Sequence, residues 1–166
     1  MTHHLLLTAV IFFAAAQVAY ARPNETNRQI ADKLTERGMD MMGRGDYKGA
    51  RAPLLQALQY EPNNPRIYWG LARSSYNTMD RYSQGLDEAE KYLKKAIAIT
   101  PTYSNSYIQL TEVKNIQGKY EEAITWADKG IACKPSQMEC YPHKAVALSN
   151  LHRNTEALAS IDKYIA

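Results

Sequence analysis

Cysteine occurs only twice in the 166 residues, at Cys133 and Cys140. The nearby His143 and His152 complete no familiar metal-ligand spacing with them, so no zinc site is expected. A Gly-rich phosphate loop, a His-Glu-x-x-His pattern and a nucleophile elbow are all missing. Beyond the leading segment the only histidines are His143 and His152, which read as surface residues. The carboxylates of Glu88 and Glu90, and of Glu121 and Glu122, read as parts of solvated helix faces. The expectation is a non-enzyme with no catalytic residue, no metal and no cofactor. Dense Lys/Arg runs are also missing, and 20 basic against 17 acidic residues leave a net charge of +3. Nothing in that balance marks a nucleic-acid footprint, and the pI of 8.8 bears on solubility alone.

Charge is absent altogether from residues 1–21, so the whole net charge belongs to the rest of the chain. Leu5, Leu6, Leu7, Val10, Ile11, Phe12 and Phe13 form an apolar core that runs on through Ala14–Ala16. Ala19-Tyr20-Ala21 supplies a small-x-small cleavage pattern. A bilayer span needs about 20 apolar residues, more than this stretch offers. The segment reads as a secretory signal peptide cleaved after Ala21, giving a periplasmic or secreted protein without membrane insertion. Its n-region, Met-Thr-His-His, lacks Lys and Arg, and the other reading is an uncleaved anchor.

What is present is periodicity. Ala50, Ala89, Ala123 and Ala157 each follow a short polar turn, at spacings of 39, 34 and 34. Pro62, Pro101 and Pro135 recur at 39 and 34. Gly45-Asp46-Tyr47-Lys48-Gly49-Ala50 and Gly118-Lys119-Tyr120-Glu121-Glu122-Ala123 are near copies of each other. Ala57, Ala96 and Gly130 hold matching places five residues before the prolines. Small residues at fixed offsets let antiparallel helices approach closely, because interaxial distance follows contact size. Glycine at 45 and 118 suits a left-handed helix end. The prolines stop the second helix of each unit. Leu54, Leu58, Leu71, Leu93, Ile97, Ile99, Leu110, Ile124, Ile131, Leu148, Leu158 and Ile161 fall at helical spacing and read as core.

This pattern resembles the tetratricopeptide repeat (TPR), a 34-residue helix-turn-helix unit, over nearly all of the chain after the leader. The resemblance implies an all-α solenoid of about four units in a right-handed superhelical array. The units fall at 31–64, 65–103, 104–137 and 138–166, after a lead-in at 22–30. In family terms the small residues of the first helices are Gly38, Ala72, Thr111 and Ala145.

Three departures carry expectations of their own. Five extra residues lie between Ala72 and Ala89, placed in the turn around residues 76–85. They are either a tolerated surface insertion or a groove lip presenting Tyr76, Met79 and Tyr82. At the other end Tyr164 replaces the small residue of earlier units, so the array should stop there. The last helix, from Asn154, should expose an apolar face including Ile161 and Ile165 and leave homo-oligomerisation open. Between the third and fourth units Pro142 should delay the helix start, and Cys133 and Cys140 would either staple that linker as a disulfide or stay reduced.

The resemblance also implies a concave groove that binds a peptide or helix of a partner protein. Its lining would be Asp32, Thr35, Met39 and Met42 from the first unit, and Arg66, Trp69, Arg73, Tyr76 and Asn77 from the second. The third would give Asn105, Ile108, Glu112 and Asn115, and the fourth Glu139, Val146, Ser149 and Asn150. Trp69, Arg73 and Tyr76 are of the types that dominate binding hot spots. Asn77, Asn115 and Asn150 are candidates to hydrogen-bond a peptide backbone. One subclass of the family grips chaperone C-terminal carboxylates with a Lys/Asn/Arg clamp, but Thr35, Met39, Asn105 and Gln109 replace its residues here. The functional expectation is therefore a periplasmic adaptor or scaffold in a cell-envelope assembly, secretion or surface-structure system. The alternative is a self-assembling structural protein that uses its end faces.

Overall fold

The computed structural model describes residues 25–78, 84–133 and 138–165. The leader expected at 1–21, together with Met79, Tyr82 and Pro135, lies outside them. The described residues form eight helices: α1 Glu25–Gly43, α2 Tyr47–Tyr60, α3 Pro65–Thr78, α4 Gln84–Ile99, α5 Ser104–Ile116, α6 Tyr120–Cys133, α7 Cys140–Asn150 and α8 Asn154–Ile165. They pack as four antiparallel pairs, α1 with α2 through α7 with α8. Consecutive first helices touch one another, whereas among the described residues consecutive second helices do not. The array therefore bends with α1, α3, α5 and α7 on its inner side.

Each pair closes where one side chain is nearly absent. Ala50, Ala57, Ala89, Ala96 and Ala123 have no exposed surface. A Cβ on Gly38 would sit 2.7 Å from Leu54 Cγ, and one on Gly130 would sit 2.6 Å from Cys140 Sγ. Larger side chains fill the rest as three clusters, each shared by two successive units. That nearest-neighbour sharing is the signature of a quasi-one-dimensional fold.

The turn inside three of the pairs is the same hydrogen-bonded motif. Asp46, Lys119 and Arg153 donate their backbone N–H to the carbonyl five residues back, at 2.9 Å each. Gly45, Gly118 and His152 donate to the carbonyl three back, at 3.0 Å each. This is a Schellman ending, which needs a left-handed residue at its centre. Gly45 and Gly118 supply it with φ of +83° and +71°, as expected from their place before the second helix. In the fourth unit the centre is His152, at φ +58°.

Several expectations are corrected. α1 begins at Glu25, inside the stretch read as a lead-in. The five extra residues of the second unit do not all lie in a turn: against the third unit, α3 is longer by one, the joint by two and α4 by two at its start. Helix absorbs more than half because Gly85 and Leu86 find buried places on α4. Pro142 does not delay α7, which starts at Cys140. A proline in the first turn forfeits only an N–H that lacks an intrahelical partner anyway. On α8, Ile161 packs against the fourth-unit cluster. Leu158, read as core, is 66% exposed and Ile165 75%.

Glu88 and Glu90 are not simply solvated; they tie neighbouring units together. Arg51 of the first unit donates to Glu88 of the second at 2.5 Å and to Ser75 between them at 3.0 Å. One unit later Glu90 accepts from Lys114 at 2.8 Å, and Lys114 also meets Glu122 at 2.7 Å. Lys114 is 1% exposed. Burial disfavours its charge, but Glu122 and Glu90 outweigh that and raise its pKa. Burial likewise works against the Glu90 carboxylate, yet Lys114 and Lys94 hold its pKa down at about 2. At the third joint the corresponding places hold Ile124 and Leu148, which share one apolar cluster.

Two predictions follow from turn and joint. His152 is exposed, so His152→Gly relieves the left-handed strain without losing a packing contact and stabilises the fold by about 0.5–1 kcal/mol in urea denaturation. For Glu90 the folded pKa lies below the ordinary 4.5, so its contribution is intact above 4.5 and drains away as pH falls towards 2. Glu90→Gln should be less stable near neutrality, and its stability should fall less than the parent's across that acid window.

Candidate functional site

The inner side carries a cleft of about 490 Å³ between α3, α5 and the start of α7. α3 contributes Trp69, Arg73 and Tyr76, spaced four and three apart so that all three share a helix face. α5 contributes Asn105, Ile108, Gln109 and Glu112, and Glu139 and His143 close the far wall. Lys114 ties α5 to Glu90 of α4, the helix paired with α3. Asn115 Nδ2 reaches from α5 to the His143 carbonyl at 2.8 Å.

Arg73 stacks its guanidinium 5.5 Å from the Trp69 ring centroid. Among the described residues it makes no ion pair, so a cation preorganised on an aromatic face borders the cleft. Tyr76 is more buried than its expected place on a lip: its ring belongs to the core cluster of the second and third units. Its hydroxyl donates to Glu112 Oε2 at 3.1 Å. Burial first, and then the Glu112 charge, push the phenol up to about 12, which keeps it a donor across the physiological range.

Of the other residues placed in the groove, Met42 is buried in the first core cluster and Met39 packs against that cluster. Thr35 is buried too, its hydroxyl donating to the Ala31 carbonyl at 2.7 Å. Asp32, Arg66, Val146 and Ser149 are exposed but stand outside the cleft lining. The three asparagines are already engaged. Asn77 donates to the Arg73 carbonyl at 2.7 Å and Asn150 to the Val146 carbonyl at 2.8 Å, one turn back on their own helices. Asn115 gives its Nδ2 to α7, as above, while its Oδ1 has no hydrogen-bond partner among the described residues.

Two lining residues fall outside the groove lining expected from the sequence, where Gln109 stands only as a replacement for a clamp residue. Gln109 is 5% exposed, and neither its Nε2 nor its Oε1 has a hydrogen-bond partner among the described residues. His143, read as plain surface, closes the cleft. Both were findable by helical spacing: Gln109 lies four residues after Asn105, and His143 four after Glu139.

The cysteines stand as two thiols, not as the bridge held open above. Cys133 Sγ donates to the Pro101 carbonyl at 3.3 Å. Cys140 is fully buried against Gly130, and burial pushes its thiol up to about 11. Each sulfur is thus occupied by a neighbour other than its partner. Among the described residues no group of three or more His, Cys, Asp or Glu could hold a metal ion.

No family model matches the chain. It is 32% identical over 94 residues to small glutamine-rich tetratricopeptide repeat-containing protein 2 of Saccharomyces cerevisiae, covering 57% of this chain and 26% of that protein. Against Hsp70-Hsp90 organizing protein 2 of Arabidopsis thaliana identity is 28% over 123 residues, or 74% of this chain and 20% of the relative. The chain spans no more than 31% of the length of the curated relatives it matches. Among solved structures, Pseudomonas aeruginosa pilF superposes with a TM-score of 0.76 at 17% identity, covering 85% of this chain and 62% of that one.

The fold is a tetratricopeptide-repeat array. A MamA crystal structure shares it with a TM-score of 0.70 at 23% identity, over 90% of this chain and 82% of its own. So does the first TPR of Spaghetti (RPAP3) bound to the HSP90 peptide SRMEEVD, with a TM-score of 0.62 at 22% identity, over 79% and 94% of the two chains. In the present TPR array the positions where the carboxylate clamp would stand hold the buried Thr35, the core-packed Met39, and the cleft residues Asn105 and Gln109.

Proposed function

We propose that this TPR chain is a non-catalytic adaptor that holds a peptide stretch of a partner protein in the α3–α5–α7 cleft. The observation that carries this reading is the Arg73 guanidinium, stacked on Trp69 at the cleft edge and without an ion-pair partner among the described residues. An aromatic–arginine pair is a strong anchor for a partner chain, because its geometry is set before binding. The TPR domain of RPAP3 solved with an HSP90 peptide supports the view that this fold accommodates a peptide. The apolar leader and the Ala19-Tyr20-Ala21 pattern support export to the periplasm or beyond, and with it a role in a cell-envelope assembly or secretion system.

Substituting Trp69→Ala together with Arg73→Ala should weaken capture of the partner from envelope extracts roughly 30-fold or more, the loss of about 2 kcal/mol typical of hot spots. The double variant should keep the parent's helical content at the assay temperature, although its melting temperature falls because Trp69 packs against the core cluster of the second and third units. Undiminished capture would remove the cleft from the proposal.

A second reading, self-association through the C-terminal face, is favoured by Leu158, Tyr164 and Ile165, which are 66%, 47% and 75% exposed on α8. In that case sedimentation velocity should show a concentration-dependent dimer that Leu158→Glu converts to a monomer. A monomer at all concentrations discards it.

A further inference from the structure

Gln109 is the one cleft residue whose state the fold does not explain. Its carboxamide is 5% exposed, yet neither polar atom makes a full hydrogen bond among the described residues; the nearby Tyr76 hydroxyl interacts with it only weakly, being given to Glu112. A buried amide in that condition carries an uncompensated desolvation penalty. Its surroundings limit what can relieve it. Glu112 stands one helical turn further along the same face of α5 and accepts the Tyr76 hydroxyl. Glu139 adds a second carboxylate on the α7 side, while the guanidinium of Arg73 belongs to the α3 wall.

A carboxylate placed on Gln109 would satisfy Nε2 alone. It would leave Oε1 without a donor and bring like charge towards Glu112. A neutral peptide group offers an acceptor and a donor together, one for each orphan atom. On this basis we infer that the cleft takes an internal, extended segment of polypeptide, with one main-chain amide of that segment seated on Gln109. A free C-terminus is not what it grips. The inference rests on the cleft being a peptide site and assigns its specificity.

The first test needs no ligand. Gln109→Leu conserves size and removes the unpaired amide, so the full-length variant should melt at a higher temperature than the parent. A lower melting temperature would show that the amide already has a partner in the fold, and would overturn the inference. The second test selects short random peptides on the full chain from two libraries. One is acetylated and amidated at its ends; the other carries a free carboxylate. Blocked peptides should bind, and N-methylation of one backbone amide in a selected peptide should weaken binding about 3- to 10-fold to the parent. The same N-methylation should have little effect on binding to Gln109→Leu.

If only free carboxylates are captured, or if no N-methylation effect depends on Gln109, the inference falls while the cleft remains a peptide site. If neither library yields a binder sensitive to Trp69→Ala with Arg73→Ala, the functional reading falls with it.

Discussion

The architecture hangs on how closely two helices can approach when the residue between them has almost no side chain. Ala50, Ala89 and Ala123 vanish completely into these contacts, and at Gly38 and Gly130 not even a methyl group would fit. That approach brings α1, α3, α5 and α7 to one side of the array, and the cleft is the space left between three of them. Core and site therefore have one origin. Any change that pushed a pair of helices apart would also alter the spacing of the walls that carry Trp69, Gln109 and His143.

The repeat was legible because it rests on residue types with few substitutes. Glycine at 45 and 118 takes a left-handed conformation, and helices α2, α4 and α6 end two residues before Pro62, Pro101 and Pro135. His152 shows the limit of that rule. The same turn forms with a side chain present, held by the same pair of backbone hydrogen bonds. Most of the cleft lining was legible through the repeat resemblance, which assigns Trp69, Arg73, Tyr76, Asn105, Ile108 and Glu112 to inner helix faces and Glu139 to the start of α7.

What periodicity could not settle was the fate of polar atoms. Asn77 and Asn150 look like ligand-binding amides until their donors are found on carbonyls one turn away. Gln109 looks like a mere replacement for a clamp residue until its isolation is seen. Glu88 and Glu90 look solvated because their partners lie 37 and 24 residues away in sequence. Leu158 follows Ala157 as the buried Ile124 follows Ala123, yet no following helix covers it among the described residues. For Glu88, Glu90 and Leu158 the missing information is a neighbour from another unit.

The three joints differ in kind, and that difference fixes an order. The first pairs a guanidinium with a carboxylate across Ser75, and the second sets an ammonium between two carboxylates; the third puts Ile124 and Leu148 in those places and moves its ion pair outward to Lys144 and Asp128. Homologous units are prone to slip past one another during folding, since any first helix resembles any other in its small residues. Here a chain that skipped its second unit would set Arg51 beside Lys114, leaving Glu122 to serve two cations at once. One that skipped its third would leave Glu90 facing Leu148. The joints thus act as an address written across the array, one that favours each unit's proper successor.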